Sequence, residues 1–362
     1  MAACLTDFQI IRPEHEQSQD YLLELIVQGH AKAETLMNPA ADFQPFLDSI
    51  RQRVFNLGLG IDKIQKRGYF PLSDLAHRKD SGLSEKMKLF DQEVSKVLDR
   101  FFPESQSISP HLIQVSCTGY VAPSPAQQLI SKRKLGDEVS VTNAYHMGCY
   151  AAIPAIRIAQ GYLHANGDAS DIVHTEMCTL HLNNFVHTTE QLIVQGLFAD
   201  GYIKYTIKGK PAHSPFLKIL ALHESIIPES TSSMTWNTKE SGFHLSIAKE
   251  VPVLIARGIE NYLAILAKKA KMPIEKLKKA HFAIHPGGPK IIELVANALN
   301  LSPEQISHSK NILLNYGNMS SATLPHIWEK ILNDKSVQSQ ELIVSLAFGP
   351  GLTISGALFL KE

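Results

Sequence analysis

The 362-residue sequence is poor in cysteine and has no excess of charge of either sign. The four cysteines, at positions 4, 117, 149 and 178, form no CxxC pair and no disulfide-dense pattern. Such sparse spacing is typical of a protein from a reducing compartment. Lys+Arg and Asp+Glu both number 35, so the net charge excludes a general polyanion binder and predicts no nucleic-acid partner.

Long apolar runs are also missing. No stretch of 18 apolar residues occurs, and the first residues lack a basic segment followed by an apolar one. The sequence therefore predicts no membrane span and no secretory signal, and a cytoplasmic location. What is present is a 44% hydrophobic composition with only 19% charged residues, enough for a sizeable core.

The hydrophobic periodicity predicts alternating helices and strands in the first part of the chain. Residues 14–56 have helical spacing, and a helix is predicted over 83–101, beginning at Ser81 or Ser84. Strands are predicted at 111–115, 138–141, 171–173 and 201–207, with a helix over 151–162 whose first turns Pro154 perturbs. This alternation predicts a layered α/β fold.

The pattern recurs in outline after Pro211. A helix over 251–269, a strand at 281–284, helices from Pro289 and Ser320, and paired strands at 341–348 and 352–360 are predicted. We therefore expect two halves, 1–210 and 211–362, which share one core because no Pro-, Gly- or Ser-rich linker separates them.

Cys149 is the most informative residue of the sequence. It follows a predicted strand and Gly148, and it precedes a predicted helix. The positive end of a helix favours a thiolate, and a sharp strand-to-helix turn exposes the side chain of a nucleophile. A buried structural cysteine is the alternative.

His285 and Asn318 lie at the ends of other predicted elements. His285 ends an apolar strand before Pro286-Gly287-Gly288, and Asn318 lies in a glycine-containing turn before a helix. Each has an ordinary alternative, a structural histidine and a helix cap. Together with Cys149 they would support thioester chemistry, since imidazole can take the thiol proton and N–H groups can hold an oxyanion.

Four motifs give these residues a family context. GC at 148–149, HPGGP at 285–289, GNMSSA at 317–322 and FGPGLT at 348–353 resemble the chalcone synthase superfamily, the type III polyketide synthases. CTGYVAPSP at 117–125 is similar to the bacterial form of a cavity and dimer loop of that family. The resemblance implies a thiolase-like αβαβα fold built from two duplicated halves, and a homodimer. It also implies that Cys149 is the acylated nucleophile, while His285 and Asn318 drive malonyl decarboxylation.

The resemblance also implies a set of substrate-binding residues and no cofactor, since CoA or carrier-protein thioesters are the substrates. Phe198 and Phe243 correspond to two gatekeeping phenylalanines, for which ordinary core packing is the alternative. The implied cavity and loop residues are Cys117, Cys178, His181, Leu182, Gly349, Pro350 and Gly351. The implied phosphate-binding residues are Arg51, Arg53 and Lys63.

The expected reaction is a decarboxylative Claisen condensation on an acyl chain held by Cys149. Malonyl-CoA or a second β-ketoacyl thioester supplies the carbanion, and the chain closes to an α-pyrone or an alkylresorcinol-type ring. Two alternatives are a β-ketoacyl-carrier-protein synthase of the initiating type, although HPGGP differs from that family's Gln-Ala-Asn continuation, and an inactive homologue that serves as a dimer partner. A papain-like hydrolase is excluded because a CGSCW-like signature is absent.

A metal site is a second possible interpretation of the histidines and cysteines. His174, Cys178, His181 and His187 have loosely zinc-like spacing, but along a predicted strand their side chains point to opposite faces. The sequence therefore predicts no metal. Glu176, on the same predicted strand, is interpreted as a buried structural carboxylate rather than a base.

Overall fold

The computed structural model describes residues 2–40, 42–71 and 82–362. Its strands are β1 (Cys4–Ile11), β2 (Glu16–Ser18), β3 (Lys66–Gly68), β4 (His111–Ser116), β5 (Ser140–Tyr145), β6 (Ser170–Met177), β7 (Asp200–Lys208), β8 (Leu217–Ile226), β9 (Met234–Lys239), β10 (Gly242–Ile247), β11 (His281–Ile284), β12 (Leu342–Gly349) and β13 (Thr353–Lys361).

The helices flank these strands, and two short 3-10 turns, Cys178–His181 and Ser320–Ala322, lie near strand ends. The helices are α1 (Gln19–Met37), α2 (Phe43–Phe55), α3 (Leu83–Phe101), α4 (Pro125–Lys132), α5 (Ala152–Asn166), α6 (Thr189–Leu197), α7 (Val251–Lys269), α8 (Ile274–Lys278), α9 (Pro289–Leu299), α10 (Ser307–Tyr316) and α11 (Thr323–Asn333).

Nine strands form one mixed sheet in the order β11-β12-β13-β8-β1-β7-β6-β4-β5. The pairs β4–β5, β4–β6 and β11–β12 are parallel, and the strands between them are antiparallel. The pairing of β1 with β8, at Cys4 with Lys218 and Leu5 with Leu217, joins the strands of the first part of the chain to those of the second.

Apolar contacts arrange the chain in five layers, in which the two parts of the sheet form two β layers between three layers of helices. α5 and α11 pack together with strands of both parts in one central core. α3 and α4 cover the outer face of β4 and β6, and α7 and α9 cover the outer face of β11, β12 and β13. This confirms the predicted αβαβα fold. Within the described ranges, no helix is both long and apolar enough to cross a membrane.

Several predicted boundaries agree with the structure. The predicted helix over 251–269 and strand at 281–284 are confirmed to the residue, and the last two predicted strands are each displaced by one residue. The helix over 83–101 is also confirmed, but Gly82 precedes its first turn with no side-chain cap, so Ser84 does not begin it, and Ser81 lies outside the described residues.

The prediction that Pro154 perturbs its helix is wrong. α5 begins at Ala152, so Pro154 is its third residue. The N–H groups of a first helical turn have no intrahelical acceptor, so a proline there removes no hydrogen bond.

Gly317 occupies a backbone conformation that its position requires. Its φ of 70° and ψ of −161° lie in a region adopted essentially by glycine alone. A Cβ at this position would stand 2.8 Å from Cδ of Arg67 and 3.0 Å from the Leu197 carbonyl oxygen. The turn before Asn318 therefore closes only because residue 317 has no side chain.

We expect Gly317→Ala to lower the free energy of unfolding by about 2–4 kcal/mol, since strain and overpacking add. Urea denaturation measures this. Gly161→Ala is the matched control, because Gly161 lies in α5 with open space around it, and that substitution should stabilise by up to about 1 kcal/mol. Equal stability of the Gly317→Ala variant and the wild type would contradict the account.

Candidate active site

Two glycine motifs interlock around Cys149. The loop between β5 and α5 carries Gly148 at φ 90°, where a Cβ would stand 2.5 Å from Cδ of Pro350. In return, a Cβ on Gly349 would stand 2.2 Å from the ring of Tyr150. The close approach of the two loops explains glycine at both positions, and it holds Cys149 just before α5, as the sequence predicts.

The Cys149 thiol lies in an environment that disfavours charge. Its Sγ is 3.8 Å from Oγ of Ser320. Burial raises the pKa of the thiol to about 12, although the Ser320 hydroxyl acts in the opposite direction. A helix N-terminus stabilises an anion by about 2 kcal/mol at most, which lowers a pKa by about one and a half. The helix therefore does not offset burial, and the free enzyme holds a neutral thiol.

Asn318 is fixed by both its backbone and its side chain. Its N–H donates to the Leu197 carbonyl at 3.0 Å, and its carbonyl accepts from the Ala199 N–H at 2.8 Å. Oδ1 accepts from the Ser320 N–H at 2.9 Å. Nδ2 is buried and has no hydrogen-bond partner in the described part of the chain, so the amide keeps a free donor.

His285 is held in the same way, with its ring left unpaired. Its N–H donates to the Leu346 carbonyl at 2.8 Å, and its carbonyl accepts from Gly287 at 3.0 Å. Both ring nitrogens are buried without a hydrogen-bond partner among the described residues. Burial lowers the pKa of His285 to about 3, so the imidazole is neutral.

One cavity collects most of the other predicted site residues. Those that line it are Cys117, Cys149, Cys178, His181, Phe198, Phe243 and Pro350. His285, Asn318, Leu182, Gly349 and Gly351 are outside this lining. Asn318 nevertheless adjoins it, because its backbone pairs with the segment around Phe198.

A buried carboxylate accepts hydrogen bonds from two loops near the cavity. Glu176 accepts from the Cys117 N–H at 3.0 Å, from Oγ1 of Thr118 at 2.9 Å and from both donors of Ser321. The Cys117 thiol in turn donates to the Gly148 carbonyl at 3.1 Å. Glu176, in β6, joins the segment after β4 to the turn after Asn318. The Cys117 thiol joins the same segment to the nucleophile loop. Glu176 thus has the contacts of a structural carboxylate.

His181 contacts the second phenylalanine. Its Nε2 donates to the Thr118 carbonyl at 2.7 Å, and its Nδ1 accepts from the Phe243 N–H at 3.1 Å. The two rings stack with centroids 4.5 Å apart. Because burial lowers the pKa of His181 to about 3, the ring remains neutral and positions Phe243 at the cavity wall.

The predicted phosphate-binding residues all have protein partners. Arg51 pairs with Glu24 at 2.6 Å, Arg53 donates to the His187 carbonyl at 2.6 Å, and Lys63 lies 3.6 Å from Asp62. Their role in phosphate binding stays a prediction.

The four residues with zinc-like spacing, His174, Cys178, His181 and His187, lie in separate surroundings. β6 ends at Met177, so Cys178 and His181 lie in a 3-10 turn rather than on the strand. His174 lies between Ser321 and Tyr205. His187 Nδ1 is 2.7 Å from Nδ1 of His30. In the ranges that the structure covers, no group of three or more His, Cys, Asp or Glu side chains could hold a metal ion.

Seven residues that line the cavity have no individually predicted role: Thr118, Gln191, Val194, Met234, Trp236, Leu245 and Ser320. Trp236 bridges two loops, since its Nε1 donates to the Cys117 carbonyl at 2.7 Å and its carbonyl accepts from His146 at 2.9 Å. Ser320 could have been found from its place two residues after Asn318. Gln191 and Trp236 carry no signal in a single sequence.

Two family models together cover nearly the whole chain. Residues 3–219 match the model described as "FAE1/Type III polyketide synthase-like protein". Residues 218–361 match that of "Chalcone and stilbene synthases, C-terminal domain".

Named relatives agree with these models. "Probable polyketide synthase 1" of Dictyostelium discoideum is 30% identical over 70% of this chain, a match that spans 8% of that protein. "Type III polyketide synthase C" of Arabidopsis thaliana is 28% identical over 68% of this chain and 66% of the relative.

Solved structures share the fold. The C-terminal type III polyketide synthase domain of Steely1 from Dictyostelium has a TM-score of 0.85 at 23% identity, with 99% of each chain covered. The 1,3,6,8-tetrahydroxynaphthalene synthase of Streptomyces coelicolor has a TM-score of 0.82 at 22% identity, again with 99% of each chain covered.

The neutral thiol has a measurable consequence. We expect alkylation of Cys149 by iodoacetamide to accelerate about tenfold per pH unit between pH 6 and 10, because the thiolate fraction rises towards a pKa of about 12. Peptide mass spectrometry at each pH measures the rate. Ser320→Ala removes a hydrogen bond that lowers the pKa, so it should slow alkylation at every pH tested. A rate that reaches a plateau below pH 8 would show that the thiolate forms despite burial.

Proposed function

Because this chain belongs to the type III polyketide synthase family, a family of acyltransferases, we propose that it condenses an acyl chain carried by Cys149 with a malonyl unit. The Cys149 sulfur attacks the carbonyl of an acyl thioester, the bond to the carrier sulfur breaks, and the carrier thiol leaves with the proton. A malonyl thioester then loses CO2, and the electron pair of the broken bond forms an enolate. The enolate carbon attacks the carbonyl carbon of the Cys149 thioester and the carbon–sulfur bond breaks. The Cys149 sulfur leaves as a thiolate and takes up a proton from water, which restores the thiol.

The unpaired donors carry this proposal. An enolate oxygen needs hydrogen-bond donors that are fixed before it forms. Asn318 Nδ2 is such a donor, and one nitrogen of the neutral His285 ring bears a hydrogen. Buried polar atoms without a partner are rare in folded proteins, and a catalytic role is one of the explanations for them. Backbone hydrogen bonds hold both residues in place, His285 at the end of a strand and Asn318 in a turn.

The lining of the cavity supports an apolar acyl chain as the group that is extended. Val194, Met234, Trp236 and Leu245 contribute apolar surface beside the two phenylalanines. Condensation adds carbonyl groups to this chain. In such a lining these carbonyls meet few hydrogen-bond donors from the protein, so the chain can fold on itself. On this basis we include closure to an α-pyrone or an alkylresorcinol-type ring in the proposal.

We further propose that the enzyme acts as a homodimer on CoA or carrier-protein thioesters. Tyr120 is 67% exposed on the loop 117–125, whose other end contacts the cavity. A large exposed aromatic side chain is typical of a protein interface. The cytoplasmic location stays a prediction from the sequence.

The proposal is tested by acyl transfer to Cys149. After incubation with fatty acyl-CoA, intact-protein mass spectrometry should show an acyl adduct on the wild type and none on Cys149→Ala. Cys4→Ala is the control, since Cys4 lies in β1 away from the cavity, and it should retain the adduct. Chromatography with malonyl-CoA added should then show a cyclised product.

An adduct that persists on Cys149→Ala would contradict the assignment of the nucleophile. Wild-type protein that neither acquires an adduct nor releases CO2 from malonyl-CoA would favour the inactive homologue.

A further inference from the structure

Gln191 has a buried donor that the fold leaves unpaired. It lies in the first turn of α6, where its backbone N–H donates to Oγ1 of Thr188 at 3.3 Å. Its side-chain Nε2 is buried without a hydrogen-bond partner in the described ranges, and the residue lines the cavity of Cys149.

Gln195, one turn further along the same helix, shows what a structural glutamine does here. Its Nε2 donates to Oδ1 of Asn184 at 3.1 Å, and its Oε1 lies 2.6 Å from Nε2 of His30. Both ends of that amide are satisfied by the protein. The Gln191 amide therefore differs from its neighbour in having a donor that no described protein group satisfies, so it is free to bond to a molecule in the cavity.

The helix also fixes where along the cavity this donor lies. α6 begins at the exposed residues Thr189 and Glu190 and leads to the buried Phe198. Gln191, Val194 and Phe198 all line the cavity. Gln191 precedes Phe198 by seven residues, which is about 10 Å along a helix. Gln191 therefore lies towards the outer end and Phe198 towards the inner end.

We propose that Gln191 is a specificity-determining residue that donates a hydrogen bond to an amide carbonyl of the pantetheine arm. This rests on the proposed function. When the thioester carbon is at Cys149, the arm extends outward and its two amide carbonyls follow the sulfur. Val194 and Leu245, which line the cavity together with Gln191, are apolar and offer no competing donor. A neutral amide suits a carbonyl, whereas a phosphate would favour a cation.

The experiment compares Gln191→Leu, which removes the donor at similar volume, with wild type on two substrates. For malonyl-CoA we expect the KM for CO2 release to rise about fivefold, equivalent to about 1 kcal/mol, with kcat changed less than twofold. Malonyl-pantetheine, which lacks the nucleotide and its phosphates, should show the same factor. The matched control is Glu190→Gln, on the adjacent exposed residue, which should leave both KM values unchanged.

The remaining outcomes overturn the proposal. An unchanged KM for both substrates would show that the donor does not reach the arm. A rise with malonyl-CoA alone would assign the contact to the nucleotide or its phosphates. A change in kcat without KM would mean that the substitution disturbs the site itself.

A direct binding measurement separates this proposal from the proposed function. Titration calorimetry with pantetheine alone should give a dissociation constant that is about fivefold higher for Gln191→Leu than for the wild type. If wild type releases no CO2 from malonyl-CoA, the condensation fails, yet this comparison still decides the role of Gln191. Equal affinity of the two proteins for pantetheine would refute the role of Gln191.

Discussion

The backbone hydrogen bonds between Asn318 and the segment around Phe198 are the constraint on which the site depends. Asn318 donates to the Leu197 carbonyl and accepts from Ala199, and these bonds place an amide from the second part of the chain beside a cavity wall from the first. A fully buried guanidinium supports this junction, since Arg67 donates to the carbonyls of Gln195, at 2.9 Å, and Phe198, and its stem packs where Gly317 has no side chain. Phe198 and the Asn318 amide donor therefore cannot shift independently of each other.

Burial then decides the charge state of the site. It raises the pKa of Cys149 and lowers that of His285, so the resting pair is a thiol and a neutral imidazole. A low-dielectric site disfavours any charge before the reaction, but it strengthens fixed donors once an oxyanion forms. The unpaired nitrogens of His285 and Asn318 are consistent with such a site, in which a developing charge meets dipoles that need no reorganisation.

The sequence predicted features that depend on local pattern and missed those that depend on packing. α7 was predicted to the residue because its apolar positions recur at helical spacing. β8 was missed because polar residues interrupt its half-buried run, and only its neighbours β1 and β13 identify it as a strand. The positions of Cys149, His285 and Asn318 at element ends followed from local motifs. The free donor of Gln191 could not be predicted, because a glutamine is informative only when the structure shows that it has no partner.

We propose that Asn318 stabilises the enolate without taking part in acyl loading. The most direct measurement is the release of labelled CO2 from malonyl-CoA by Asn318→Ala, alongside mass spectrometry of the Cys149 adduct. We predict that CO2 release falls about 100-fold or more, while acylation stays within a few-fold of wild type. Asn315→Ala, which alters an amide bonded within α10, should leave both unchanged. CO2 release at the wild-type rate from Asn318→Ala, or an equal loss of both activities, would contradict the account.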